Sequence, residues 1–64
     1  MRGENLVTIS YLNYRSLCDA VQAADANNLK TFKWDSPDDG ERFEMLTEYA
    51  RYLIIYMKNK LGIK

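Results

Sequence analysis

The last third of the chain carries an apolar residue every three or four positions, and this repeat constrains the fold more than any other feature. Residues at that spacing lie on one side of an α-helix, since each residue turns the helix by about 100°. Lys58 and Lys60 lie near the end, where cations are favoured, and Gly62 is a typical helix stop. The pattern predicts a helix over about 40–61. Its apolar stripe comprises Phe43, Leu46, Ala50, Leu53, Ile54, Met57 and Leu61.

The same helix carries a second apolar side. Met45, Tyr49, Tyr52 and Tyr56 recur at spacings of four, three and four, which is typical of a helix–helix contact, and Ile55 widens this side. Either the second side packs on an aromatic strand of the same chain, or it contacts another molecule. Tyrosine favours the second interpretation, because its ring covers a large area with few rotatable bonds and keeps a polar tip. We therefore expect these five residues to form a protein-interaction surface.

The chain is so short that contact with a partner through this surface could help to stabilise its fold. Its 64 residues form one small domain, residues 1–64, and a domain of this size buries only about 60% of the surface of its unfolded chain. Small domains usually gain further stability from disulfides, a metal or a partner subunit. Cys18 is the single cysteine and there is no histidine, so self-association is the support that remains open.

A first helix is predicted over about 10–27. Ser10 is a good N-cap, because its hydroxyl can accept a hydrogen bond from a free amide of the first turn. The two asparagines at 27–28 favour the left-handed conformation that ends a helix. Residues 5–9 are β-prone and predict a short strand or arm before this helix. The apolar side of the helix comprises Tyr14, Leu17, Cys18, Val21 and Ala24.

Residues 30–34 predict a short strand with one aromatic side, on which Phe32 and Trp34 alternate with polar residues. The segment that follows, residues 36–45, has two interpretations. Ser36 and Pro37 can begin a helix, or the sequence DDG can be the turn of a hairpin that spans about 30–45. Because Phe43 continues the helical stripe, we prefer a helix that begins near 40 and keep the hairpin as the alternative.

These elements predict an α+β domain in which two helices flank a short aromatic strand. The second helix should pack antiparallel to the first or cross it. The intrachain core is expected to contain Leu17, Val21, Phe43, Leu46, Ala50, Leu53, Ile54 and Met57.

Other kinds of chemistry receive little support. The acidic segment 35–41 does not match a calcium loop, because Pro37 and Leu46 fall where ligands are required, so no metal is expected. Cys18 lies on an apolar side without a histidine to activate it, so no enzyme activity and no cofactor are expected. Nine basic residues balance nine acidic ones, which argues against nucleic acid as a partner. Without a signal peptide or an apolar membrane span, and with a lone thiol, the chain is expected in the cytoplasm.

The leading functional hypothesis is a non-enzymatic interaction protein. It would associate with itself, or bind or inhibit another protein, through the Tyr/Met side of the last helix; accessory proteins of phages and mobile elements are of this kind. The alternative is a small module that stacks a nucleotide or another planar ligand on aromatic rings, or a weak nucleic-acid-binding regulator. A secondary aromatic and basic surface would then be formed by Lys30, Phe32, Lys33 and Trp34.

Overall fold

The computed structural model describes residues 7–63 and contains two helices joined by an antiparallel hairpin. This arrangement confirms the predicted α+β class. In chain order the elements are α1 (Tyr11–Ala26), β1 (Thr31–Asp35), β2 (Arg42–Leu46) and α2 (Thr47–Leu61). Residues 7–10 have no regular secondary structure, so they are an arm rather than a strand; residues 5 and 6 of the predicted β-prone segment lie outside the described residues.

Both ends of α1 form as the sequence predicts. The Ser10 side chain accepts a hydrogen bond from the backbone amide of Asn13 at 3.2 Å, which caps the first turn. At the other end Asn28 adopts a positive φ of 55°, and the Leu29 amide donates to the carbonyl of Ala24 at 2.8 Å. The chain therefore leaves the helix through a left-handed asparagine.

The preferred start of the second helix, near residue 40, is wrong, and the hairpin alternative is correct. Residues 42–46 form β2, which pairs with β1 in a register that places Trp34 opposite Phe43 and Phe32 opposite Met45. The Trp34 and Phe43 rings lie 5.8 Å apart and are nearly parallel. The helical spacing of Phe43 was misleading, because it takes no account of β1. A lone β1 would leave its backbone groups without hydrogen-bond partners, and this requirement favours the hairpin.

Two residues of β2 have the opposite exposure to the one predicted. Met45 belongs to the buried side of the hairpin and not to the interaction surface, whereas Leu46 is 57% exposed and not part of the core. Successive side chains of a strand point to opposite sides, so the exchange of a helix for a strand reverses both assignments. The predicted core residues Leu17, Val21 and Ala50 are buried, as are Phe43 and Met57, and Leu53 and Ile54 pack against them partly buried.

A hydrogen-bonded turn closes the hairpin. The Ser36 amide donates to the Glu41 carbonyl and the Gly40 amide donates to the Ser36 carbonyl, both at 2.7 Å. Gly40 has a φ of +76°, a conformation that costs other residues about 1 kcal/mol or more. Gly40 thus favours a turn over a helix.

A buried asparagine connects this turn to the rest of the domain. Asn13, in the first turn of α1, is fully buried, and its amide nitrogen donates to the Thr8 carbonyl of the arm at 2.8 Å. Its amide oxygen accepts from the Ser36 hydroxyl at 2.9 Å and from the Asp38 backbone amide at 3.2 Å. A second contact joins the arm to the turn, since the Thr8 hydroxyl donates to the Asp39 carboxylate at 2.9 Å. One side chain therefore joins the arm, α1 and the hairpin turn.

We expect Asn13→Ala to lower the free energy of unfolding by about 3 kcal/mol. The substitution leaves the buried Ser36 hydroxyl without a partner and removes the partly buried bonds to the Thr8 carbonyl and the Asp38 amide. A buried polar group without a partner costs about 1–3 kcal/mol. Urea unfolding followed by circular dichroism measures the change. Gln22→Ala, at an exposed position of the same helix, is the control and should change stability by less than about 0.5 kcal/mol. Equal effects of the two substitutions would show that the buried amide contributes little.

Candidate protein-interaction surface

The start of α2 is held to the loop before β1. The Thr47 amide donates to the Lys30 carbonyl at 2.8 Å, and the Thr47 hydroxyl donates to the Leu29 carbonyl at 2.7 Å. Further along the helix, Ala50 and Met57 are fully buried on the side that faces α1 and the hairpin. These contacts determine which side of α2 points inward.

The opposite side of α2 is apolar and exposed. Tyr49, Tyr52 and Tyr56 are 50%, 64% and 48% exposed, and Ile55, which lies between them, is 55% exposed. We call these four residues the tyrosine face. Of the five residues predicted for the interaction surface, Met45 is therefore the one that the fold removes. The second apolar side of the helix is therefore exposed and does not pack against the core.

The two ends of the tyrosine face carry opposite charges. Glu48 lies in the first turn of α2, and Lys60 lies in the last. The Lys60 ammonium is 5.5 Å from the centre of the Tyr56 ring, a cation–π distance. Glu48 lies one turn before Tyr52 on the same side of the helix, because residues four apart are neighbours on a helix surface. The sequence shows both charges, but their place at the edges of an exposed face follows only from the fold.

An ion pair holds α2 beside the end of α1. Arg51 donates two hydrogen bonds of 2.7 Å to the Asp25 carboxylate. These bonds lower the pKa of Asp25 from its usual range. Both side chains remain about half exposed, so solvent weakens the pair, and its main effect is on the orientation of the two helices.

The predicted aromatic and basic surface does not form a single patch. Trp34 is buried, and its indole nitrogen donates to the Ser16 hydroxyl at 3.0 Å. Phe32 is partly buried on the same side of β1, whereas Lys33 points to the other side, opposite Glu44 of β2. Lys30 is exposed just before the strand. The alternation of a strand separates the charges from the rings.

Two shallow depressions lie near these residues. One, of about 400 Å³, lies between α1 and β1 and is lined mainly by small or apolar side chains: Ala20, Ala23, Ala24, Asn27, Leu29, Phe32 and Lys33. The other, of about 320 Å³, is lined by Leu29, Lys30, Leu46, Thr47, Glu48 and Arg51. Both are open to solvent.

Within residues 7–63, no cluster of histidine, cysteine, aspartate and glutamate has the geometry to hold a metal ion. In that same part of the chain neither helix combines the length and the apolar character that crossing a lipid bilayer requires. Cys18 is a free thiol, half-buried in α1.

Comparisons with known proteins add no relative. No protein-family model matches the chain, and neither a curated protein nor a solved structure matches it.

We expect the free energy of unfolding to decrease as the pH is lowered through the acid range below about 4. The pKa of Asp25 is lowered by Arg51, and that of Asp39 by hydrogen bonds from the Glu41 amide and the Thr8 hydroxyl. A carboxyl group whose pKa is lower in the folded state contributes stability above its unfolded pKa and loses it as the pH falls through the folded pKa. Urea unfolding at a series of pH values measures this change.

Asp25→Asn should reduce this acid sensitivity, because the variant has no carboxylate left to protonate at the Arg51 contact. Asp19→Asn, at an exposed position of the same helix, is the control and should retain the sensitivity of the parent chain. A pH dependence that is identical in all three proteins would contradict a contribution of the Asp25–Arg51 pair.

Proposed function

We propose that this protein is a non-enzymatic interaction module of the cytoplasm whose contact surface is the tyrosine face of α2. It would bind a protein, either a second copy of itself or a partner whose activity it regulates or inhibits. Accessory proteins of phages and mobile elements are a class in which such a role is common.

One observation carries the proposal: three tyrosine rings and Ile55 are about half exposed or more on a helix whose other side is already used by the core. Large apolar side chains that cluster on a surface mark contact sites more often than scattered ones do. Tyrosine is also among the residues that contribute most to protein interfaces, because its ring is apolar and its hydroxyl can remain hydrated.

Ligand stacking has less support. Of the rings considered for it, Trp34 is buried against Phe43 and its indole nitrogen is already bonded, so neither of its faces is open to a planar ligand. Nucleic-acid binding also has less support, since Lys33 lies opposite Glu44 on the exposed side of the hairpin and the net charge of the chain is zero.

Tyr52→Glu tests the proposal, because Tyr52 is the most exposed ring of the tyrosine face. We expect the substitution to weaken every complex of the chain at least about tenfold, since it places a charge at the centre of an apolar contact. Complexes with a second copy are measured by sedimentation equilibrium. Complexes with other proteins are measured by capture on the tagged chain, with identification by mass spectrometry and binding assays on the purified partner.

Leu12→Glu is the matched control, because Leu12 is 55% exposed on α1 and lies outside the tyrosine face. Both variants should keep the melting temperature of the parent chain within a few degrees, since both positions are on the surface. The proposal is wrong if the chain forms no complex of either kind, or if Tyr52→Glu and Leu12→Glu affect the complexes equally.

A further inference from the structure

The tyrosine face has a direction, which the charges at its ends define. Glu48 marks its N-terminal end and Lys60 its C-terminal end, and the rings lie between them. Among residues 7–63 neither charge takes part in an ion pair; the pairs found there are Asp35–Arg42 and Asp25–Arg51. Both charges are therefore available to a molecule that covers the rings.

A surface of this kind is complementary to itself when a second copy runs in the opposite direction. The negative end of one face then meets the positive end of the other, twice, around a twofold axis. The helix dipoles also oppose each other in this orientation, whereas a parallel pair would place like charges and like dipole ends together. We propose that the occupant of the tyrosine face is a second copy of this chain, with the two α2 helices antiparallel and with Glu48 of each copy facing Lys60 of the other.

This inference rests on the proposed function, because it assigns the partner of the same surface. The charge order also separates a second copy from an unrelated protein. A face that is acidic at one end, apolar in the middle and basic at the other is complementary to itself in the antiparallel orientation, whereas an unrelated partner would need its own matching charges. In a twofold antiparallel pair this order brings opposite charges together at both ends, which favours the contact.

The ring positions agree with the same axis. An antiparallel pair that matches Glu48 with Lys60 has its centre at residue 54, and one that matches Tyr49 with Tyr56 has its centre between residues 52 and 53. These centres differ by one and a half residues, so an axis that matches the tyrosines leaves Glu48 and Lys60 offset by three residues, or roughly 4.5 Å along the helix. A lysine side chain is long and flexible enough to bridge that difference. The aromatic and the charged contacts can therefore form in one arrangement.

The size of the face predicts a weak and reversible dimer. Three half-exposed tyrosine rings offer roughly 300 Å² for burial, to which Ile55 and the edge residues add. A standard interface buries about 800 Å² on each partner, so this pair belongs to the small, transient class. The mass should therefore rise with concentration from 7.5 kDa toward twice that value, over a range of about 10 µM to 1 mM.

Charge exchange tests the orientation. Glu48→Lys gives a chain with lysine at both ends of the face, and Lys60→Glu gives a chain with glutamate at both ends. Each variant alone should associate at least about tenfold more weakly than the parent chain, because like charges then meet twice in the antiparallel pair. The double variant Glu48→Lys/Lys60→Glu should restore association to near the parent value, since opposite charges meet again.

Mixing the two single variants tests whether the charged ends of the two copies meet, and the weak association of each variant alone tests the orientation. A chain with two lysines and a chain with two glutamates should form a heterodimer at least as readily as the parent chain forms its homodimer. Sedimentation equilibrium of the mixture, with one variant carrying a mass tag, measures the heterodimer. Each variant is its own folding control, because a variant that failed to fold would form no complex in the mixture.

Two results overturn this inference and leave the proposed function standing. In the first, Tyr52→Glu abolishes association but charge exchange and mixing have no effect, so the rings meet in another orientation. In the second, the chain remains a monomer of 7.5 kDa up to about 1 mM while Tyr52 is required to bind another protein, so the occupant is not a second copy. A chain that forms no complex at all contradicts both proposals.

Discussion

The fold depends on the buried amide of Asn13. Its single side chain satisfies the Thr8 carbonyl of the arm, the Ser36 hydroxyl and the Asp38 amide of the turn. The Ser36 hydroxyl is buried and needs a partner within the protein, and the other two groups are partly shielded from water. A domain of this size has few apolar contacts with which to hold its parts together. The amide therefore provides the directional contact that aligns the hairpin turn with the start of α1.

The orientation of α2 follows from this alignment. With the turn held to α1, the hairpin presents Trp34, Phe43 and Met45 on one side, and α2 covers them with the side that carries Ala50 and Met57. The ion pair between Arg51 and Asp25 and the Thr47 hydrogen bonds act at the other end of α1. Because the inner side of α2 is thus occupied, the tyrosine face can point only to solvent.

The exposed tyrosine face and the small core have one cause: a single copy of this short chain does not bury all of its large apolar side chains. The chain has a single cysteine and no histidine, and α1, α2 and a two-stranded sheet form a core of few residues. The rings that remain outside represent apolar surface that folding of one copy does not bury. A partner that covered them would add stability as well as carry out a function, since binding to the folded state shifts the unfolding equilibrium. The proposed dimer would therefore both bury these rings and stabilise the folded chain.

The sequence by itself determined both helices within a few residues at most ends, because Ser10, Asn28 and Gly62 act through local backbone geometry. It also determined that the last helix has two apolar sides, since helical spacing depends only on order along the chain. Only the tertiary structure decided that residues 42–46 are a strand, because Phe43 and Met45 satisfy both periodicities and the pairing partner is distant in sequence. The sequence also did not predict the role of Asn13, because two of the groups that bond to its amide oxygen lie 23 and 25 residues further along the chain. Contacts between distant residues are what local periodicity cannot encode, and in this protein they decide which apolar side is core and which remains a surface.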